Sequence, residues 1–270
     1  MAIDTDFQHI GLERRDHMAV ITLNRPGRLN ALNREMGLEL HAALDQLAAE
    51  FPETRVLIIT GAGRGFCSGA DVADMPARMA EGGDRSPNYP DEGPSITMRL
   101  APHLRDIPQP VIAAVNGVAA GAGLGIALSC DIRFASDAAR FTSVFVKRSL
   151  VPDAGVSQIL GALAGPGIAA EMSLTGKVYD AQWALSKGLV NDVIPADELM
   201  SRAELMAQEI ATNPPLAVKA IKTLQNGFHP DLHQVIVSEH QANSPLRGTA
   251  DQKEAVQAFL EKRQPEFTGS

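Results

Sequence analysis

The sequence predicts an α/β fold followed by a helical C-terminal region, with the division near residue 195. Two observations carry this. A β-branched run, a glycine-rich turn and a helix-like run occur in that order twice. The first instance leads from residues 55–60 into Phe66-Cys67-Ser68-Gly69-Ala70-Asp71, and the second from residues 111–115 into Gly117-Val118-Ala119-Ala120-Gly121-Ala122-Gly123. From Ala196 onward the pattern is helical almost throughout, broken at Asn213-Pro214-Pro215, at residues 226–230 and near Pro245.

The elements follow in order. Residues 7–13 and 17–23 read as short strands around the charged turn Arg14-Arg15-Asp16. Asn24-Arg25-Pro26-Gly27 interrupts the chain. Leu29, Leu32, Met36, Leu40, Leu44 and Leu47 then recur at helical spacing to about Phe51. Residues 55–60 and 111–115 are buried strands. Between them, residues 81–94 are rich in Gly, Pro and Asp, the composition of a mobile surface loop placed to cover a ligand. Residues 131–135 and 140–142 suggest short strands, and residues 156–163, 168–174 and 181–187 suggest helices.

Composition narrows the function. The chain has 270 residues, 45% apolar and 21% charged, enough for one large core. A formal charge of −8 argues against non-specific nucleic-acid binding. No uncharged run reads as a membrane span, which needs roughly 18 apolar residues. Residues 111–130 are uncharged, but Asn116 and four glycines mark them as strand, turn and helix. Cys67 and Cys130 fit no metal spacing and read as reduced thiols of a cytoplasmic protein. His229, His233 and His240 have helical spacing, yet no carboxylate or cysteine pattern completes a metal site, and none is expected.

Each glycine turn ends a strand and opens a helix, so each can present backbone N–H groups to a common point, as an oxyanion hole requires. Val151-Pro152-Asp153-Ala154-Gly155 supplies one ionisable group for that point, Asp153. The same tetrapeptide, Pro-Asp-Ala-Gly before a helix, is also a good turn and N-cap signature.

These residues resemble the crotonase (enoyl-CoA hydratase/isomerase) superfamily along nearly the whole chain. The likeness is carried by Asn24-Arg25-Pro26 with Asn30-Ala31-Leu32, by Gly65-Phe66-Cys67-Ser68-Gly69-Ala70-Asp71, and by residues 110–131. Leu174-Thr175-Gly176, residues 184–190 and Phe259-Leu260-Glu261-Lys262-Arg263 extend it. The resemblance implies a crotonase-like spiral of ββα units over residues 1–195 and a helical oligomerisation region over 196–270. It further implies homotrimers or pairs of trimers, with an acyl-CoA thioester as substrate and no separate cofactor. Carried over by position, Ala70 and Ala122 would supply the oxyanion N–H groups. Arg28, Ser68, Ala70, Asp71, Val72, Gly121 and Phe145 would line the coenzyme A and acyl site, and Phe259 and Lys262 would close it from a neighbouring subunit. Asp71 is expected to cap the helix that follows it rather than to take part in chemistry.

Two positions depart from the hydratase pattern. Where hydratases of the family carry paired glutamates, this chain has Gly125 and Phe145. Hydration needs one group to activate water and another to protonate carbon, so weak hydratase activity is expected. Asp153 instead matches the acidic residue of double-bond isomerases. A 1,3 proton shift needs only one base, so a Δ3/Δ2 enoyl-CoA isomerase is the favoured expectation. The alternatives are an enoyl-CoA hydratase, a dehalogenase or hydrolase using Asp153 as nucleophile with His103 as second base, and a non-catalytic acyl-CoA carrier.

Overall fold

The computed structural model describes residues 2–4, 7–71, 94–226 and 231–267. After an antiparallel lead-in of β1 (Ala2–Asp4) and β2 (Ile10–Arg15), β3 (Met18–Leu23) enters a large sheet and is followed by helix α1 (Arg34–Ala49). The next circuit lays β4 (Val56–Gly61) in the large sheet and β5 (Gly65–Cys67) in a small one, and reaches α2 (Leu100–Asp106). Another adds β6 (Val111–Val115), β7 (Val118–Ala120) and α3 (Ala122–Ser129). The last adds β8 (Ile132–Ser136), β9 (Arg140–Thr142), a 3-10 turn at Val144–Arg148, then α4 (Val156–Ala164) and α5 (Pro166–Thr175). This is the expected spiral of ββα units. Parallel neighbours cannot be joined by a tight turn, so each circuit returns through a crossover.

Two late strands close the sheets: β10 (Tyr179–Asp180) pairs with β9 and, after α6 (Ala181–Ser186), β11 (Asp192–Ile194) pairs with β8. The large sheet has seven strands, ordered β1-β2-β3-β4-β6-β8-β11, and the small one four, ordered β10-β9-β7-β5. From β3 onward the large sheet is parallel and covered on both faces. This explains the continuous apolar runs. Leu57, Ile59, Val111, Ala113 and Val115 face the main core with α1, α2 and α3, while Val56, Ile58, Ile112 and Ala114 face the opposite way. That second face is covered by α7 (Leu199–Ala211) through Leu199, Ala203 and Ala207, which are four residues apart and share one side of the helix. Helices α8 (Pro215–Asn226), α9 (Leu232–Asn243) and α10 (Ala250–Glu261) follow, and no strand follows β11 among the described residues.

Several boundaries differ from the sequence expectation. The first hairpin turns later, because Asp16 takes a left-handed φ of 53° and leaves Arg14 and Arg15 on β2, where Arg14 meets Glu50 at 2.6 Å. Helix α1 begins at Arg34 rather than near Leu29. Leu29 and Asn30 are left-handed, and the Asn33 side chain accepts from Met36 N–H as the N-cap. Strands β5, β7, β10 and β11 span two or three residues, too few for any periodicity to show.

Fully buried Asn30 pins the first glycine turn. Its amide donates to the carbonyls of Ala62 at 3.0 Å and Gly65 at 2.7 Å and accepts from Arg25 N–H at 2.9 Å. Asn30→Ala removes three hydrogen bonds, one of them fully buried, so urea unfolding is expected to show a loss of about 1–3 kcal/mol. A loss under 1 kcal/mol would show that the turn holds without it.

Candidate active site

The two glycine turns lie against each other. A Cβ on Gly69 would come within 2.8 Å of the Ala120 carbonyl oxygen and 3.5 Å of the Ala122 nitrogen, and a Cβ on Gly123 would collide with the Cys67 carbonyl. Gly69 and Gly121 take φ of 92° and 53°, which side chains rarely adopt. The glycines are therefore required by the contact between the turns, besides any room they leave for a ligand.

That contact gathers the two amides expected from the sequence. Ala70 forms an isolated parallel bridge with Leu32. The bridge uses the flanking Gly69 carbonyl, 2.8 Å from Leu32 N, and Asp71 N–H, 2.9 Å from the Leu32 carbonyl, and leaves the N–H of Ala70 itself unused. Ala122 opens α3, so its N–H has no helical acceptor, and Gly121 makes no side-chain cap. Neither N–H has an internal partner among the described residues. The Ala122 N–H is a free amide at the start of a buried helix, where negative charge is favoured, and the Ala70 N–H is free on the abutting turn.

Ala154, the residue after Asp153, packs against Gly125, one helical turn along α3 from Ala122. A Cβ on Gly125 would stand 2.6 Å from the Ala154 carbonyl oxygen and 2.8 Å from its Cβ, so the Asp153-Ala154 segment fills the space a larger residue would need. The 3-10 turn then brings Phe145, only 6% exposed, within 3.8 Å of a Cβ on Gly121. Neither of the two positions where the family resemblance expected glutamates carries a carboxylate: backbone of Ala154 fills the space at Gly125, and position 145 holds a buried ring.

The Asp153 carboxyl is not a helix cap. Gly155 is the N-cap of α4 and no side chain of the cap residue bonds the helix. Asp153 offers only its carbonyl, to Val156 N–H at 3.0 Å, while its Oδ1 is sealed from solvent with no hydrogen-bond partner. Burial, with the Glu239 carboxylate adding, pushes its pKa up to about 8. At neutral pH it is mostly protonated and close enough to titration to exchange a proton.

Glu239 is the functional neighbour that sequence reasoning missed. It is 3% exposed, and its oxygens accept from the N–H groups of Gly155 at 2.9 Å and Ser157 at 3.1 Å. Burial raises its pKa, against the lowering by those bonds. A signal existed: Leu232, Ile236, Glu239 and Asn243 recur at four, three and four residues and form the buried face of α9. A cleft of about 430 Å³ opens beside it, lined by Pro152, Ser157, Gln234, Val235 and Ser238, and its lining includes neither glycine turn.

The remaining candidates fall in three places. Arg28 is exposed on the 3-10 turn Pro26–Arg28, where its carbonyl accepts from Ser68 Oγ at 3.2 Å, so these two meet at the first glycine turn. Asp71 is buried and forms an ion pair with Arg25 at 2.9 Å, which ties the end of that turn to the segment after β3. Val72, the helix Asp71 was expected to cap, residues 81–93 and His229 lie outside the described residues. Phe259 is 44% exposed and lies under Arg148, whose guanidinium carbon is 3.9 Å from the ring centroid; Lys262 ends α10 on the surface in a left-handed conformation.

His103 is not an exposed surface residue next to Asp153. Its Nδ1 meets His41 Nδ1 at 2.7 Å and its Nε2 meets Asp45 at 3.2 Å, both on α1. Two positions earlier on α2, Ala101 faces Gly155, and residues two apart on a helix point about 200° from each other. Cys67 and Cys130 are free and buried, their thiols pushed up to about 12 by burial. No group of three or more His, Cys, Asp or Glu able to hold a metal, and no helix long and apolar enough to cross a membrane, occurs among the described residues.

A ββα spiral whose two glycine turns abut, one of them opening a buried helix, is the crotonase fold. A solved enoyl-CoA hydratase/isomerase from Pseudoalteromonas atlantica superposes with a TM-score of 0.86 at 31% identity, over 97% of this chain and 100% of that one. The sequence model of the enoyl-CoA hydratase/isomerase family matches residues 13–270, and the chain belongs to that family. It is 38% identical to the 1,2-epoxyphenylacetyl-CoA isomerase of Escherichia coli, over 92% of this chain and 94% of that one. It is 37% identical to the short-chain-enoyl-CoA hydratase of Clostridium acetobutylicum, over 97% and 98%.

A carboxyl whose folded pKa is about 8, against 3.8 as the ordinary value, opposes folding wherever the unfolded chain has ionised and the folded one has not. The cost is absent below the unfolded pKa, grows as pH rises, and levels off above the folded pKa. Asp153→Asn is therefore expected to raise Tm, by a margin that widens between about pH 4 and pH 8. A margin independent of pH would show an ordinary solvated aspartate.

Proposed function

We propose that this protein is an acyl-CoA isomerase that moves a carbon–carbon double bond from the 3- to the 2-position of an enoyl thioester, with Asp153 as the single base. The observation that carries this reading is the Asp153 carboxyl itself, with Oδ1 sealed and unpartnered and relieved of capping, on a segment whose next residue, Ala154, packs against Gly125 of α3. The relatives are named as both isomerases and hydratases, so their names do not decide the reaction. Gly125 and Phe145 favour the isomerase, because neither leaves a second proton carrier where the hydratases have theirs.

In this mechanism the thioester oxygen sits between the N–H groups of Ala70 and Ala122. Asp153, ionised, removes a proton from the carbon between the carbonyl and the double bond. The electrons flow into a dienolate, whose charge lies on the oxygen facing the two amides; each such donor is worth roughly 3–4 kcal/mol of barrier. Protonated Asp153 returns the same proton two carbons along, and the conjugated product forms with no water consumed. A pKa near 8 makes the carboxylate a stronger base than a solvated one, at the cost of a smaller ionised fraction at neutral pH. Arg28 and Ser68, at the first turn, would bind the coenzyme A portion. The buried free thiols suit a reducing compartment, and a cytoplasmic location is proposed with the reaction.

Purified protein is expected to convert a 3-enoyl-CoA to the 2-enoyl-CoA, read as conjugated-thioester absorbance, and to hydrate the product poorly. The rate should rise with pH through about 8, since the ionised form is the active one. Asp153→Asn should cost about 10²–10⁴-fold in kcat. Fast hydration by the wild type, or full isomerase activity in Asp153→Asn, would overturn the reading.

A homotrimer or a pair of trimers is proposed as well, with Phe259 and Lys262 closing the coenzyme A site of a neighbouring subunit. Light scattering should then report three or six chains, and Lys262→Gln should raise KM with little change in kcat. A monomer with wild-type affinity in Lys262→Gln would contradict this.

A further inference from the structure

Glu239 comes from α9, 84 residues after the segment it bonds, and nothing in the reaction above uses it. Its two acceptor bonds are the ones a residue at the start of α4 would make for itself: Gly155 is the N-cap, and Ser157 is in the first helical turn. Asp153 has the residue type and position to make them, and a carboxylate so engaged would be locked as a cap. Asn243, one turn further along α9, secures the same segment from its other end, accepting from Val151 N–H at 3.0 Å. Between these anchors the chain takes two successive left-handed residues, Ala154 at φ 51° and Gly155 at φ 80°. A non-glycine residue in that region is strained and persists only where its surroundings hold it.

We propose that Glu239 is the positioning residue of this site: by taking the capping bonds of α4 it keeps Asp153 uncapped beside the left-handed turn against α3. Its carboxylate adds to the burial that raises the proton affinity of Asp153. The proposal rests on Asp153 being the base. Asp231, which lines the same cleft as Glu239, caps its own helix α9 by accepting from the N–H groups of His233 and Gln234. Helix α3 presents only small and apolar side chains here, and α4 opens with Val156 and Ser157. On α2, His103 turns to α1 and Arg105 bonds Asn226, while on the 3-10 turn Arg148 lies over Phe259. His240, beside Glu239, buries Nδ1 without a partner and is not a charge acting on Asp153 in the way Glu239 is.

The test uses Glu239→Gln, which keeps one acceptor and removes the charge, and Glu239→Asp, which keeps the charge but withdraws it by one methylene. The Asp153 carboxyl is titrated directly by carbon-13 NMR of aspartate-labelled full-length protein, assigned with Asp153→Asn, and the pH profile of 3-enoyl-CoA isomerisation is recorded alongside. In Glu239→Gln the Asp153 midpoint should fall by about one pH unit or more, with the acid limb of the rate profile following it. In Glu239→Asp the midpoint should stay high while kcat drops about 10–100-fold at unchanged KM, because the turn is held less exactly. If Glu239→Gln does not fold, Glu239→Asp alone decides. An unmoved midpoint in Glu239→Gln, or wild-type kcat in Glu239→Asp, overturns the proposal. A shifted midpoint in a protein that isomerises no enoyl-CoA supports the pairing and instead removes the isomerase reading.

Discussion

The contact between the two glycine turns is the constraint on which the site depends. Gly69 and Gly123 each sit against backbone of the opposite turn, at distances no Cβ can tolerate, so the end of β5 and the start of α3 are one packed unit. The free N–H groups of Ala70 and Ala122 inherit their placement from that packing. One is left over by a parallel bridge that uses its neighbours, the other by the geometry of a helix start. Neither requires a special side chain, and neither has to reorganise when charge develops.

The same logic extends to α3 as a whole. Its eight residues are all buried, and its glycines admit backbone from two directions, Cys67 at Gly123 and Ala154 at Gly125. Packing Ala154 onto Gly125 leaves no room for a side chain there and brings the Asp153 segment onto α3. The packing has an electrostatic consequence. Asp153 enters an environment with no donor for Oδ1 and with a second carboxylate close by, and both effects favour its protonated form.

Much of this was legible in the chain. Continuous β-branched runs marked the parallel strands, because a sheet covered on both faces leaves no polar side to alternate. The glycine turns stood at the ends of those runs, and the helical spacing of α1 and of the C-terminal region was read correctly in type, though α1 starts later because Asn33 rather than Leu29 begins it. The shortest strands were not legible: β5, β7, β10 and β11 have too few residues for a period and exist because neighbouring strands pair with them. Asp71 and His103 could not be placed either, since their partners Arg25, His41 and Asp45 are distant in sequence.

The sequence by itself determined the repeated strand–turn–helix order, the two glycine turns and the presence of one carboxyl in the third loop, because these rest on local spacing and backbone preference, while the spiral was what the family resemblance implied. Only the tertiary structure decided that this carboxyl does not cap α4. Pro-Asp-Ala-Gly before a helix reads equally as a cap or as a base, and the choice turns on which side chain reaches the N–H groups of Gly155 and Ser157. Glu239 reaches them from a helix far along the chain. A hydrogen bond between distant elements leaves no local pattern, so Asp153 becomes an uncapped, buried acid only when α9 folds against α4.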